Sequence, residues 1–146
     1  MERYELRPEP PGAGERRGGI GAVREVRFLS DGFLSCNGDR TLEAPRGIFG
    51  GADGLPAQVV KNPGSAQEVL PSKSTGRRLK AGDVIRIVGP NAGGYGEPRA
   101  RDPQRVATDV ADGLISAEHA RDVYGVAIDA RTGAIDEPAT RRLRAK

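Results

Sequence analysis

The stretch DVIRIVGPNAGGYGEP, residues 83–98, joins the strongest strand pattern of the chain to its densest glycine loop. Within residues 84–88 only Arg86 is polar, and such a run predicts a strand that is buried on much of both faces. The ten residues 89–98 contain four glycines. The spacing therefore predicts a central strand that ends in a loop, and the loop must either cradle a ligand or turn the chain.

The loop lacks the two glycine motifs that bind phosphates. A P-loop requires a lysine and a hydroxyl after its last glycine, whereas Glu97 and Pro98 follow Gly96. The dinucleotide motif also fails, because no helix is predicted to begin at this point. Gly93, Gly94 and Gly96 then permit positive φ angles and a close backbone approach, either to another chain segment or to a ligand. Tyr95 offers a hydroxyl to a ligand, or packs across its own turn.

Other short strands are predicted on the N-terminal side of this stretch. Residues 1–22 are polar and glycine-rich, which favours an entry loop, and glycine spacing in residues 38–56 favours short strands joined by tight turns. Period-two alternation and a turn signal predict a hairpin between residues 23–29 and 33–36. Residues 57–60 and 68–70 are two further short strand candidates with a polar turn between them.

Helix signals appear only after Pro98. Asp102 followed by Pro103 predicts a helix start, and Gly113 closes that helix. Ser116 caps a second short helix, residues 126–136 predict a small hairpin, and Asp136 starts a final helix. The predicted fold class is α+β: a body of short, mainly antiparallel strands, residues 1–100, with a helix, hairpin and helix tail, residues 101–146, packed on it.

The composition limits the classes of function. The chain of 146 residues has the length of one domain, and its 23 basic and 20 acidic residues are interspersed. Without a basic face and with no Trp, a nucleic-acid partner is not expected. No apolar run approaches the roughly 18 residues of a membrane span, and the first residues lack a signal-like apolar core. We therefore expect a cytoplasmic protein with no membrane partner.

Few residues suggest chemistry. Cys36 is predicted to be a small buried residue of a strand, and the single histidine, His119, to be a helix-surface residue, so no metal site is predicted. Ser72 and Lys73 lie in a predicted loop with two further hydroxyls, and a lysine near serines can activate a nucleophile. The alternative is a solvated turn.

The order of the segments carries more information than any one of them. The most specific segments are LPSK, LKAGD, the glycine-tyrosine loop and RDP, at residues 70–73, 79–83, 89–98 and 101–103. In this order they resemble the C-terminal end of the hydantoinase B/5-oxoprolinase family, and the resemblance extends from about residue 4 to residue 144. The family loop usually reads PGGGGYGDP. Here Asn91 and Ala92 replace two glycines, and Glu97 replaces the aspartate.

This resemblance implies a part of an ATP-dependent enzyme. Family members act with a hydantoinase A partner, the ATP-using half, and open cyclic amides such as hydantoins or 5-oxoproline. Related complexes carboxylate ketones, which is one alternative, and a non-catalytic stand-alone interaction domain is the other. ATP and a divalent metal are implied for the full complex but not for this chain.

The resemblance also implies partners and weak candidate contacts. We expect the chain to be a C-terminal fragment or split subunit with mainly an assembly role, inactive alone, and to form a hetero-oligomer. Its expected partners are the hydantoinase A-like subunit and an N-terminal half of the family that this sequence lacks. No catalytic residue or metal ligand is assigned. The candidate binding contacts are Ser72, Lys73, Gly93, Gly94, Tyr95 and Gly96.

Overall fold

The described part of the chain consists of seven strands and a short C-terminal set of helices. The computed structural model describes residues 1–64, 66–129 and 131–145. The strands are β1 Arg3–Leu6, β2 Ala22–Arg27, β3 Gly32–Asn37, β4 Gln58–Lys61, β5 Glu68–Leu70, β6 Lys73–Leu79 and β7 Val84–Val88. A 3-10 turn at Pro98–Ala100 precedes the helices α1 Pro103–Ala111, α2 Ala117–Asp122 and α3 Glu137–Arg144. Among these residues, no helix has the length and apolar character to cross a membrane.

The larger sheet is built around β7. Its order is β1-β2-β7-β4-β5, and all of its neighbouring strands are antiparallel. Val84 and Ile85 of β7 are buried, as the apolar run predicted. β4 and β5 correspond to the two short strands predicted at residues 57–60 and 68–70, and they pair with each other in antiparallel fashion. Ser65, between them, lies outside the described residues. The α+β fold class is therefore confirmed.

The predicted hairpin between residues 23–29 and 33–36 is wrong. β2 pairs with β1 and β7, whereas β3 pairs with β6 in a separate two-stranded ribbon. The chain leaves the large sheet after Phe28, whose N–H donates to the carbonyl of Asp83. The Asp31 carboxylate then accepts from the Ala81 N–H at 2.9 Å and fixes the crossing. Alternation identifies the wet face of a strand but not its neighbour, so the pattern could not choose between these partners.

Three local predictions also need correction. Residues 3–6 form the edge strand β1 instead of part of an entry loop. Its exposed side chains leave no alternation to detect. Residues 73–79, part of a predicted loop, form β6, most of whose residues are likewise exposed or half-buried polar residues. The short strands predicted in residues 38–56 reduce, among the described residues, to isolated bridges at Ile48 and Leu55.

Two apolar clusters hold the fold together. The first lies between the large sheet and the ribbon, and its buried members are Val59, Leu70, Leu79 and Ile85. The second lies in the tail, and its buried members are Ala13, Val106, Ile115, Ala120, Tyr124 and Val126. Because Ala13 comes from the N-terminal segment, the second cluster joins the tail to the body.

The tail follows its helix-capping signals. The Asp102 carboxylate accepts from the Gln104 N–H at 2.9 Å, and α1 ends two residues before Gly113, whose φ is +70°. Ser116 and Asp136 cap α2 and α3 in the same way. The predicted hairpin is present as one bridge between Ile128 and Ile135, with Ala130 of its turn outside the described residues.

Candidate functional site

Three glycine-rich segments meet side by side at one end of the body. They are residues 10–21, 45–55 and 89–97, and we call their meeting the glycine junction. The central segment, 89–97, bonds to both others: the Arg16 N–H donates to the Tyr95 carbonyl at 3.0 Å, and the Ile48 N–H donates to the Gly94 carbonyl at 3.0 Å. The glycine loop that follows β7 is thus the middle of a three-stranded backbone arrangement.

The N–H groups of this loop are already used within the chain. Gly94 donates to the Ala52 carbonyl, Tyr95 to the Arg16 carbonyl and Gly96 to the Ile48 carbonyl, at 2.8, 2.9 and 3.0 Å. A phosphate-binding loop needs several free N–H groups directed at the anion. Residues 94–96 therefore do not form a phosphate cradle.

Close packing accounts for the glycines at positions 93 and 94. A Cβ on Gly93 would lie 2.2 Å from the Arg46 carbonyl oxygen, and a Cβ on Gly94 would lie 1.9 Å from that of Ala13. Both distances are far below van der Waals contact, and backbone atoms cannot rotate away. Of the two alternatives raised by the sequence, the close approach is to other segments of the same chain.

Asn91 fastens the first segment to the loop. Its side chain is fully buried, and its Oδ1 accepts from the Gly21 N–H at 2.8 Å. Its Nδ2 donates to the carbonyls of Glu9 and Pro10 at 2.8 and 3.1 Å. An asparagine in place of the glycine of the usual loop therefore adds three hydrogen bonds here.

An exposed apolar patch lies on one face of the glycine junction. It consists of Ile48, Phe49 and Tyr95, whose exposed fractions are 53%, 75% and 45%. The rings of Phe49 and Tyr95 pack at a tilt of 60° with their centroids 5.2 Å apart. Tyr95 is the bridge partner of both Ile48 and Arg16, so these three side chains share a face. Tyr95 thus packs on a neighbouring loop while it keeps much of its ring exposed.

Phe49 occupies an unusual backbone conformation. It lies in a tight turn closed by the Gly51 N–H and the Ile48 carbonyl at 3.0 Å, and its φ is +53°. Positive φ at this turn position favours glycine, asparagine or aspartate, and a bulky residue there costs on the order of 1–3 kcal/mol. The sequence did not indicate Phe49 as a functional residue, because a phenylalanine before two glycines does not reveal whether its ring is exposed.

Lys73 is the first residue of β6, and Ser72 directly precedes it. Lys73 therefore lies in a strand and not in the loop that the sequence predicted. The Lys73 Nζ is 3.7 Å from Asp39 Oδ1, and both side chains are largely exposed. Together with Ser72 they line an open groove of about 540 Å³. Among the described residues, no hydrogen bond or ion pair joins these two residues to Gly93, Gly94, Tyr95 or Gly96. The candidate contacts therefore fall into two separate groups.

A buried ion-pair network ties the tail to the glycine junction. Arg101 and Asp109 are 8% and 5% exposed, and the Arg101 Nη2 lies 2.9 Å from Asp109 Oδ2. The Arg17 Nε lies 3.0 Å from the other oxygen of Asp109, and Arg101 also donates to the Glu15 carbonyl at 3.1 Å. Arg101 belongs to the RDP motif, whose position the sequence indicated but whose partners it did not.

Two further titratable residues are partly or fully buried in the tail. His119 was predicted to be a helix-surface residue, but it is half-buried and packs edge-on against Tyr124, with ring centroids 5.8 Å apart. Burial lowers the pKa of His119 and raises the pKa of the Tyr124 phenol. The prediction for His119 was wrong because Tyr124, whose side chain points into the core, covers the side of α2 on which His119 lies.

The residues typical of metal sites stay apart. Cys36 lies half-buried in β3 and packs against the first core cluster. In the parts of the chain that the structure describes, no group of three or more His, Cys, Asp or Glu side chains could hold a metal ion. The implied divalent metal therefore does not fit the described residues of this chain.

The comparisons with known proteins define the class of this chain. A sequence profile described as hydantoinase B/oxoprolinase matches residues 1–98. The chain is 41% identical over 146 residues to the B component of a putative D-/L-hydantoinase from Pseudomonas sp. strain NS671, covering 99% of this chain and 24% of that protein. The chain belongs to the hydantoinase B/oxoprolinase family.

Two solved structures share the fold. The crystal structure of ATP-dependent caprolactamase from Pseudomonas jessenii matches 100% of this chain and 26% of that one, with a TM-score of 0.66 and 31% identity. Nucleotide-free acetone carboxylase matches 97% of this chain and 24% of that one, with a TM-score of 0.64 and 20% identity, which shows the fold alone. The chain thus spans about a quarter of the length of each of these three relatives.

Proposed function

We propose that this chain is the C-terminal assembly segment of an ATP-dependent hydrolase that opens cyclic amides such as hydantoins or 5-oxoproline. The observation that supports the proposal most is the match of the entire chain to ATP-dependent caprolactamase at 31% identity. That relative is named for a lactam, which is a cyclic amide. The hydantoinase named among the relatives points to the same class of bond.

The role proposed for this segment is structural rather than catalytic. Opening an amide ring requires a polarised carbonyl, a positioned water and groups that transfer protons. The described residues offer no metal-binding group, and the N–H groups of residues 94–96 are occupied. ATP, the metal and the catalytic groups would therefore be bound by other parts of the complex.

The proposed partners are an ATP-using subunit of the hydantoinase A type and the other three quarters of a hydantoinase B protein. Two of the relatives, the hydantoinase component and the beta chain of caprolactamase, are named as subunits, which supports a multi-chain assembly. Within it, Ser72 and Lys73 would contact substrate or a partner at the groove of β6. The other candidate residues would contribute through the exposed face of the glycine junction, which their close packing holds in place: Gly93, Gly94, Tyr95 and Gly96.

The alternative is a ketone carboxylase, which the 37% identity over 70 residues to the delta subunit of acetophenone carboxylase from Aromatoleum aromaticum supports. One experiment separates the two. This chain replaces the matching quarter of the caprolactamase beta chain in one chimera and the matching quarter of the acetone carboxylase chain in another, and each chimera is purified with the rest of its own enzyme. We expect the caprolactamase chimera to open caprolactam only with ATP, and the acetone carboxylase chimera to be inactive. A folded pair in which only the acetone carboxylase chimera is active, or in which neither is active, contradicts the proposal.

A matched pair of lysine variants tests the groove. Lys73 and Lys80 are both exposed and both lie near an aspartate, Asp39 and Asp31 respectively. If Lys73 contacts substrate or a partner, Lys73→Ala lowers kcat/KM of the caprolactamase chimera about tenfold, whereas Lys80→Ala leaves it within twofold. Equal effects of the two variants would remove Lys73 from the proposed contacts.

A further inference from the structure

We propose that the apolar patch of Ile48, Phe49 and Tyr95 is the surface on which the other three quarters of a hydantoinase B protein dock. This inference rests on the proposed function and deepens it, because it names the contact surface. The three side chains come from two segments of the glycine junction and form one exposed apolar face.

The conformation of Phe49 favours a partner at this patch. Its backbone is held at a φ of +53° while its side chain remains 75% exposed, with Tyr95 as its aromatic neighbour. A bulky residue in this conformation is a steric outlier, and the exposed ring recovers little by burial. Strain of this kind is found where a residue serves binding or another function. A docking partner that buries the ring accounts for both the strain and the exposure.

The patch is also held rigidly. The N–H and the carbonyl of Tyr95 both bond to Arg16, and the N–H and the carbonyl of Ile48 bond to Gly94 and Gly96. The turn at residues 48–51 is closed by its own hydrogen bond. A surface that is ordered before binding loses less entropy when the partner arrives. Aromatic side chains on such a surface are typical anchors of protein interfaces. The glycine junction thus presents these rings in a fixed arrangement.

Charged side chains of both signs border the patch. Arg16 shares the face of Tyr95, is exposed and makes no ion pair among the described residues. The Glu97 carboxylate lies beside Gly50, in the same turn as Phe49, and the Glu15 side chain lies beside Gly96. An apolar centre with a polar border is the usual anatomy of a protein interface.

The length of the matched caprolactamase chain identifies the occupant. This chain matches only 26% of it, and the other three quarters are part of the same polypeptide. A segment of one polypeptide meets the rest of that polypeptide at a high effective concentration, so even a patch of three side chains suffices for docking. A separate subunit or a second copy of this chain would need a larger surface.

The test compares one variant in two settings. In the isolated chain, Phe49→Asn relieves the strain, because asparagine tolerates positive φ, and we expect the Tm to rise by about 4 °C. In the caprolactamase chimera the same change removes the anchor, and we expect a lower Tm and faster proteolysis between the chain and the rest. Leu29→Asn is the control, since Leu29 is 90% exposed outside the patch, and it changes neither Tm.

A second format serves if the chimera does not fold. The 15N-labelled chain is titrated with the remaining three quarters of the caprolactamase beta chain as a separate polypeptide, because NMR line broadening detects the weak binding expected without a covalent link. We expect the amide signals of Ile48, Phe49 and Tyr95 to broaden selectively, Phe49→Asn to weaken this binding at least tenfold, and Leu29→Asn to leave it unchanged. No selective broadening at these three residues, or equal broadening in all variants, overturns the inference.

Other outcomes separate this inference from the proposed function. An equal rise of Tm in the chimera and in the isolated chain overturns the docking surface. So does a dimer of the isolated chain that Phe49→Asn converts to monomer, or an effect that appears only when the ATP-using subunit is added. A chimera without ring-opening activity in which Phe49→Asn still lowers Tm supports the surface and contradicts the proposed hydrolase.

Discussion

At the scale of single residues, the glycine junction leaves no space for a side chain at Gly94. The Cβ added there would meet the backbone of both Ala13 and Gly12, and neither can move without breaking hydrogen bonds of the junction. Gly19 lies on the same N-terminal segment as these two residues, yet a Cβ there has nothing within 4 Å. Gly94 and Gly19 therefore have different roles, although the sequence presents them alike.

This difference gives a direct prediction. Gly94→Ala destabilises the chain by about 3 kcal/mol, because overpacking against backbone forces the segments apart. Gly19→Ala changes the free energy of unfolding by no more than about 0.5 kcal/mol. Urea unfolding of the two variants and the wild type measures both values. Similar stabilities of the two variants would show that the segments separate easily.

Asp83 provides a pH-dependent contact between two loops of the body. Its carboxylate accepts from the Lys80 N–H and from Asn62 Nδ2, both at 2.8 Å, and pairs with Lys61 at 2.9 Å. These contacts, the backbone hydrogen bond first, lower the pKa of Asp83 from 3.8 to about 2. A carboxyl whose pKa is lower in the folded state stabilises the fold above its unfolded pKa, and this contribution is lost on acidification.

We therefore expect Asp83→Asn to be less stable than the wild type at pH 7. The difference shrinks as the pH falls from about 4 to about 2, the interval between the unfolded and folded pKa values, and vanishes below it. Thermal unfolding of both proteins across this pH range measures the difference, and other carboxylates cancel because both proteins share them. A difference that stays constant down to pH 2 would contradict the assigned contacts.

At the scale of elements, the helices were predictable and the strand partners were not. Asp102, Ser116 and Asp136 each cap the helix that the sequence assigned to them, because a cap acts on its own next turn. Strand pairing depends on distant residues. β3 pairs with β6, although β2 precedes it by only a short turn. In the same way, the sequence of the glycine loop excluded a P-loop. No local sequence signal indicated that residues 10–21 and 45–55 both pack against this loop.

The attachment of the tail can be tested at Arg101. Removing one partner of a buried ion pair leaves an uncompensated charge, so Arg101→Ala is expected to cost about 3–5 kcal/mol. The remaining pair between Arg17 and Asp109 keeps the loss at the lower end of that range. Arg105→Ala is the control: Arg105 is exposed on α1, the helix that carries Asp109, and its replacement changes stability little. Chemical denaturation measures both, and limited proteolysis shows whether the tail is released.

At the scale of the whole molecule, the body and the tail share a core. Ala13 of the N-terminal segment packs in the tail cluster, and Arg17 reaches Asp109 of α1. The family could be predicted from the sequence, because the order of its motifs is read directly and needs no knowledge of contacts. It could not predict the apolar patch, since the patch arises only when separate segments meet.

This shared core predicts a single unfolding transition for residues 1–146. Amide hydrogens of β7 in the body and of α1 in the tail should exchange through opening reactions of the same free energy. Native-state hydrogen exchange with mass spectrometry measures them separately. Lower protection of α1 than of β7 by several kcal/mol would indicate that the tail opens on its own and is a separate unit.

The glycine junction also has a consequence for synthesis of the chain. The Gly12 N–H bonds to the Ala92 carbonyl, 80 positions later. At about 5–20 residues per second, a ribosome needs roughly 4–16 seconds to translate that interval. During this time the first segment cannot make its native hydrogen bonds, and contacts so distant along the chain also form slowly. The junction is thus completed late, only after residue 97 has left the ribosome.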